Sequence, residues 1–129
     1  LYPTSKETFE KKWHDITQDG KTVFKSAVSE MANATEQIII RNNLNPDEIK
    51  YLLPHQANKR IIDATAEKIN LDKNKVLMNI EEYGNTTAAT IPLLMHDYED
   101  NFTKGDKIIL AAFGAGLTWG AAYLTWAYN

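Results

Sequence analysis

Between residues 49 and 89 the chain sets out one unit twice: a short apolar run, a polar corner and the start of a helix. Residues 49–53 are apolar or aromatic except at Lys50, which reads as a strand. Pro54 ends that strand's ladder because it has no N–H to donate. His55 therefore stands at the carboxyl end of a strand, just ahead of a helix that Asn58 is suited to cap. The second copy reads Val76-Leu77-Met78-Asn79-Ile80 and then turns through 81–89, delivering Asn85 to the start of another helix. In open α/β sheets this carboxyl edge is where ligands bind. An imidazole and a carboxamide at equivalent corners make a candidate site.

With 129 residues the chain fits one domain, 1–129, and can bury a real core. Hydrophobic residues at 43 % against charged ones at 24 % give the balance of a soluble globular protein. A net charge of −3 argues against nucleic acid or an anionic membrane as partner. No run approaches the roughly 20 apolar residues of a membrane span. Residues 1–20 lack the basic-then-apolar layout of a signal peptide, so the expected location is the cytoplasm. The Cys count of 0 excludes disulfides, thiolate zinc sites and a cysteine nucleophile within this chain. No His/Asp/Glu spacing suggests a metal site, and none is expected. The Asn-x-Thr triplets at Asn33, Asn85 and Asn101 read as chance in a chain with no secretory signal.

In chain order, Thr4 and Glu7 have the spacing of a capping box, opening a short helix with Phe9, Trp13 and Ile16 as an apolar stripe. Asp19-Gly20 signals a turn, and a longer helix is expected from about 22 to 43, with Phe24, Ala27, Val28, Met31 and Ile38 on one face. Pro46 opens one helical turn. The helix over 58–70 presents Ile61, Ile62, Thr65, Ala66 and Ile69. The helix after Asn85 is uncharged over 86–95 and is expected to be buried on every side, with a bend at Pro92. Residues 107–113 form a strand covered on both faces, Gly114-Ala115-Gly116 turns the chain, and 117–128 returns antiparallel. The expected class is α/β, a mixed sheet with helices on both faces.

Three ordered motifs carry a resemblance: Pro54-His55-Gln56-Ala57-Asn58-x-Arg60, Gly84-Asn85-Thr86-Thr87-Ala88-Ala89 and Phe113-Gly114-x-Gly116-x-Thr118-Trp119-Gly120. Together they resemble the C-terminal half of β-ketoacyl-acyl-carrier-protein synthase III. Asp19-Gly20-x-x-Val23-Phe24-Lys25 matches the stretch entering that half. The family has a thiolase fold, two α/β halves packed as α-β-α-β-α, so the resemblance implies half of an enzyme, with the helix after Asn85 in the central layer and only one of its two covering sheets in this chain. The nucleophilic cysteine belongs to the other half, and the chain by itself is expected to be inactive.

What the resemblance implies about chemistry is a decarboxylative condensation of an acyl-CoA primer with malonyl-carrier protein, with no cofactor. His55 and Asn85 take the catalytic roles, as neutral donors to the enolate oxygen left when CO₂ departs. Taken alone, the one is a histidine satisfied at a strand end and the other a turn or cap residue. Gln56, Ala57, Asn58, Lys59 and Arg60 match the segment that contacts the carrier protein, and Lys25 and Lys68 extend that positive surface. Gly20, Phe24, Ala57 and Asn58 match the lining of the substrate channel. Gly114, Ala115 and Gly116 match the turn whose backbone N–H helps hold the thioester oxyanion, with alanine where the family's turn has glycine. His14 and His96 lie outside the motifs and read as structural. A homodimer is implied. Other readings are a related condensing enzyme of secondary metabolism, of alkylquinolone or polyketide type, and a non-catalytic partner subunit that keeps the fold.

Overall fold

The computed structural model describes residues 3–13 and 18–129. They form α1 (Lys6–Glu10), α2 (Gly20–Arg41), β1 (Ile49–Pro54), α3 (Lys59–Lys68), α4 (Ile80–Tyr83), α5 (Thr90–Asp97), β2 (Lys107–Gly114) and β3 (Thr118–Thr125). The strands make one sheet in the order β1-β2-β3, with β1 and β2 parallel and β2 and β3 an antiparallel hairpin. The parallel step forces a long crossover, and α3, α4 and α5 fill it. The mixed sheet with helices on both faces is the architecture the sequence predicts.

The apolar run of β2 serves two cores because successive side chains point to opposite faces. Ile109, Ala111 and Phe113 join Leu52, the α2 residues Ala27 and Met31, and the α3 residues Ile62 and Ala66. On the other face, Ile108 packs with Leu53, Leu77, Leu94 of α5 and Phe102. Tyr51 and Trp126 close over Phe102, with ring centroids 5.6 and 5.0 Å away. Each wholly buried Leu or Ile contributes about 1.5–3 kcal/mol, so the two faces clamp β1 and fix where it ends.

Several expectations are corrected. The second strand, 76–80, reduces to a single parallel bridge between Val76 and Leu52. Pairing stops because the Asn79 N–H is taken by the Gln56 side chain, and Ile80 already begins α4. The helix after Asn85 starts only at Thr90, following a 3-10 turn at Thr87–Ala89. As the resemblance implies for this half alone, with one sheet to cover it, the helix is only partly buried: Thr90 and Leu94 are buried, while Pro92 is exposed. Pro92 falls in its first turn, where no intrahelical N–H bond is lost and no bend is required.

Upstream, the capping box uses Ser5 and Thr8 in place of Thr4 and Glu7. Phe9 and Trp13 are 68 % and 47 % exposed, so the expected stripe on α1 is not a buried one. Ile16 and His14 lie outside the described residues. Asp19 caps α2 by accepting from the N–H groups of Lys21 and Thr22, which brings Gly20 into the helix. Asn58 caps α3 as predicted, accepting from the Arg60 N–H at 2.9 Å.

Candidate active site

His55 is held one step past the end of β1. Its backbone N–H still pairs with the Ala111 carbonyl of β2, at 2.7 Å, although Pro54 before it has nothing to donate. The half-buried ring places Nδ1 2.6 Å from the Thr90 hydroxyl, at the start of α5. Burial pushes its pKa below the ordinary 6.5, since removing water penalises the imidazolium. The ring is therefore neutral at neutral pH, with one nitrogen a donor and the other an acceptor.

Asn85 is presented by a sharp turn. Gly84 adopts φ +64°, a conformation side chains resist, and Thr87 also has positive φ. Asn85 Oδ1 accepts from the Thr87 N–H at 2.9 Å. That uses the carbonyl half of the carboxamide and leaves Nδ2 as a donor with no partner among the described residues.

His55 and Asn85 line one cleft of about 1190 Å³. Gly20 and Phe24 of α2 form part of its wall, as do Ala57, Asn58 and Arg60 from the start of α3. Gly114 and Ala115 line it as well. Ala115 does not have the positive φ that would strain an alanine, so its Cβ is accommodated. The Arg60 guanidinium stands 5.5 Å above the Phe24 ring, a cation–π contact.

Other residues singled out by the sequence lie elsewhere. Gln56 is wholly buried, its Nε2 donating to the carbonyls of Pro54 (2.8 Å) and Leu77 (3.4 Å). A side chain spent on the interior cannot also reach a carrier protein, so the expected contact role of Gln56 is withdrawn. Lys59 is exposed and paired with Glu81 at 2.6 Å, while Lys68 donates to Ser29 Oγ at 3.0 Å. Gly116 is not among the lining residues of the cleft. Its φ of +141° and the Thr118 hydroxyl, 2.5 Å from where a Cβ would sit, require glycine there. His96 is exposed on α5.

Sequence reasoning passed over Thr90, read as one uncharged residue of an apolar helix. It also passed over the wall formed by Phe113 and Trp119, whose rings stack with centroids 6.4 Å apart. The motif containing Trp119 was the available signal. Among the described residues, no three His, Asp or Glu side chains group as metal ligands would. No described helix is long and apolar enough to cross a membrane.

Residues 39–126 match the family described as 3-oxoacyl-[acyl-carrier-protein (ACP)] synthase III C terminal. The chain is 52 % identical over 127 residues to β-ketoacyl-[acyl-carrier-protein] synthase III of Azobacteroides pseudotrichonymphae, covering 98 % of this chain and 38 % of that protein. To the protein of the same name from Porphyromonas gingivalis ATCC 33277 it is 48 % identical, with the same coverage of 98 % and 38 %. Among solved structures, β-ketoacyl-[acyl carrier protein] synthase III of Thermus thermophilus superposes with a TM-score of 0.83 at 44 % identity, over 88 % of this chain and 36 % of that one. The Pseudomonas aeruginosa PAO1 synthase III gives 0.82 at 39 % identity, over 86 % and 36 %. The chain thus spans about 38 % of the length of the curated relatives it matches. With a match over residues 39–126 and these identities, the chain belongs to the 3-oxoacyl-[acyl-carrier-protein] synthase III C-terminal family.

Proposed function

We propose that this chain is a single domain, 1–129, the C-terminal catalytic domain of a 3-oxoacyl-[acyl-carrier-protein] synthase III that starts fatty acid biosynthesis. The reaction is decarboxylative Claisen condensation of an acyl-CoA primer with malonyl-carrier protein. The cysteine that carries the acyl group comes from an N-terminal half, and the two halves complete an α-β-α-β-α thiolase fold. Such an enzyme works in the cytoplasm as a homodimer and without a cofactor.

The observation that carries this reading is the presence of His55 and Asn85 in one cleft, with the Asn85 Nδ2 and His55 Nε2 unbonded among the described residues. When the malonyl C–C bond breaks, its electron pair passes to the thioester as an enolate while CO₂ leaves. Two neutral donors stabilise the oxyanion without capturing it as the enol. The enolate carbon then attacks the acyl-cysteine carbonyl, and the cysteine thiolate leaves. In this reading the turn 114–116, of which Gly114 and Ala115 line the cleft, supplies a backbone N–H to the acyl oxyanion.

Arg60, at the cleft mouth, is the cation proposed to meet an acidic carrier protein, with Ala57, Asn58 and Lys59 beside it. In the complete synthase, His55→Ala and Asn85→Ala should each slow malonyl-carrier decarboxylation about 10²-fold. Wild-type rates in both variants would refute the assignment.

A further inference from the structure

We propose that Thr90 is a positioning residue that fixes the tautomer of His55, making Nδ1 the acceptor and Nε2–H the donor in the cleft. This rests on the enolate-stabilising role given to His55 above.

Thr90 is 2 % exposed and opens α5. The only hydrogen bond of its hydroxyl among the described residues is the 2.6 Å contact with His55 Nδ1. A helical threonine commonly returns its hydroxyl to the preceding turn, as Thr35 does to the Met31 carbonyl at 2.8 Å. Thr90 makes no such bond, so the one acceptor for its hydrogen among the described residues is Nδ1.

Two protonation patterns fit that distance. If the hydroxyl donates, its hydrogen is satisfied and Nδ1 holds no proton. If Nδ1–H donates, the hydroxyl hydrogen is buried without an acceptor, which is the expensive half of a broken hydrogen bond. The first pattern is favoured, and a neutral ring with bare Nδ1 must carry its proton on Nε2. The desolvation that keeps His55 neutral makes this choice matter: an imidazolium would have both N–H groups regardless.

The consequence is directional. Nε2–H pointing at the enolate oxygen stabilises it, whereas an Nε2 lone pair would repel it. A fixed tautomer also places this donor before the charge develops, as preorganised catalysis requires.

The test is ¹⁵N-histidine NMR on the complete synthase, with Thr90→Val, which removes the hydroxyl at nearly constant shape, and Thr90→Ser, which keeps it. Wild type and Thr90→Ser should show an unprotonated Nδ1 and a protonated Nε2 for His55, assigned by its loss in His55→Gln. Thr90→Val should move population to Nδ1–H and lower kcat for decarboxylation at least about tenfold, with KM for malonyl-carrier protein little changed. An Nδ1–H signal in the wild type, or Thr90→Val with unchanged tautomer and kcat, overturns the proposal. Should Thr90→Val fail to fold, the wild-type and Thr90→Ser spectra still decide it. A fully active His55→Ala would instead sink the catalytic reading and leave the tautomer result standing.

Discussion

Gln56 and Asn79 are joined inside the protein: the Asn79 backbone N–H donates to Gln56 Oε1 at 3.2 Å. Since the Gln56 Nε2 also donates to Pro54 and Leu77, one buried carboxamide ties the His55 corner to the segment that leads towards Asn85. Asn79 continues the chain of contacts, its Nδ2 lying 2.7 Å from Asp97 Oδ2 on α5. The bonds that a second strand would have made to β1 are thus partly replaced by side chains.

Gln56→Ala should therefore cost about 2–3 kcal/mol of stability, because three buried backbone groups lose their partner. Gln56→Glu should cost more, since a carboxylate would face two carbonyl oxygens with no hydrogen to offer. Denaturant unfolding of the two variants checks the order. A Gln56→Ala change within ±0.5 kcal/mol, the range of ordinary surface substitutions, would remove this network from the account.

His55 should titrate below 6.5 in the folded protein, because burial disfavours its charged form. The sign follows from linkage: a folded-state value below the unfolded one means the fold prefers the neutral ring. Its contribution to stability is complete above the unfolded value and is lost as pH falls through the depressed one. NMR titration of the His55 ring gives the midpoint directly. His55→Gln should lessen the acid-induced loss of stability, and a midpoint above 6.5 would contradict the burial argument.

Lys59 is engaged by Glu81, while Arg60 has no acidic partner among the described residues. Arg60→Glu should consequently weaken binding of an acidic carrier protein to the complete synthase more than Lys59→Ala does. Glu81→Gln frees the lysine and should tighten binding several-fold at low ionic strength, the gain shrinking as salt screens it. Both exposed partners make the pair itself a minor contributor to stability. Titrations at two salt concentrations decide the ranking.

The turn between β2 and β3 distinguishes its glycines. Gly116→Ala should destabilise by about 1–3 kcal/mol, because φ is +141° and the new methyl would meet the Thr118 hydroxyl. Gly114→Ala, with open space around the position, should be close to neutral. Thermal unfolding of the two variants separates them, and equal effects would contradict the geometry.

Much of this was legible because it depends on local chemistry. Pro54 marked the end of β1, Asn58 capped α3, and the run 108–113 announced a strand covered twice. His55 and Asn85 were legible as corner residues, and the motifs made them a pair. What was not legible came from contacts far along the chain. Nothing local says that Gln56 turns inward to replace a strand partner at Asn79. Likewise, Thr90 gains its meaning only from a ring 35 residues away in sequence. Composition alone made the helix after Asn85 look buried on every side, whereas the resemblance leaves it one covering sheet in this chain, and Pro92 is exposed.

The most direct measurement is condensation by the 129-residue chain alone, and again after joining it to a cysteine-bearing N-terminal half of the family. The expected result is no β-ketoacyl product from the isolated chain, product from the joined halves, and loss of that product with His55→Ala or Asn85→Ala. Condensation by the isolated chain, or undiminished product from joined halves lacking both side chains, would contradict the account at its centre.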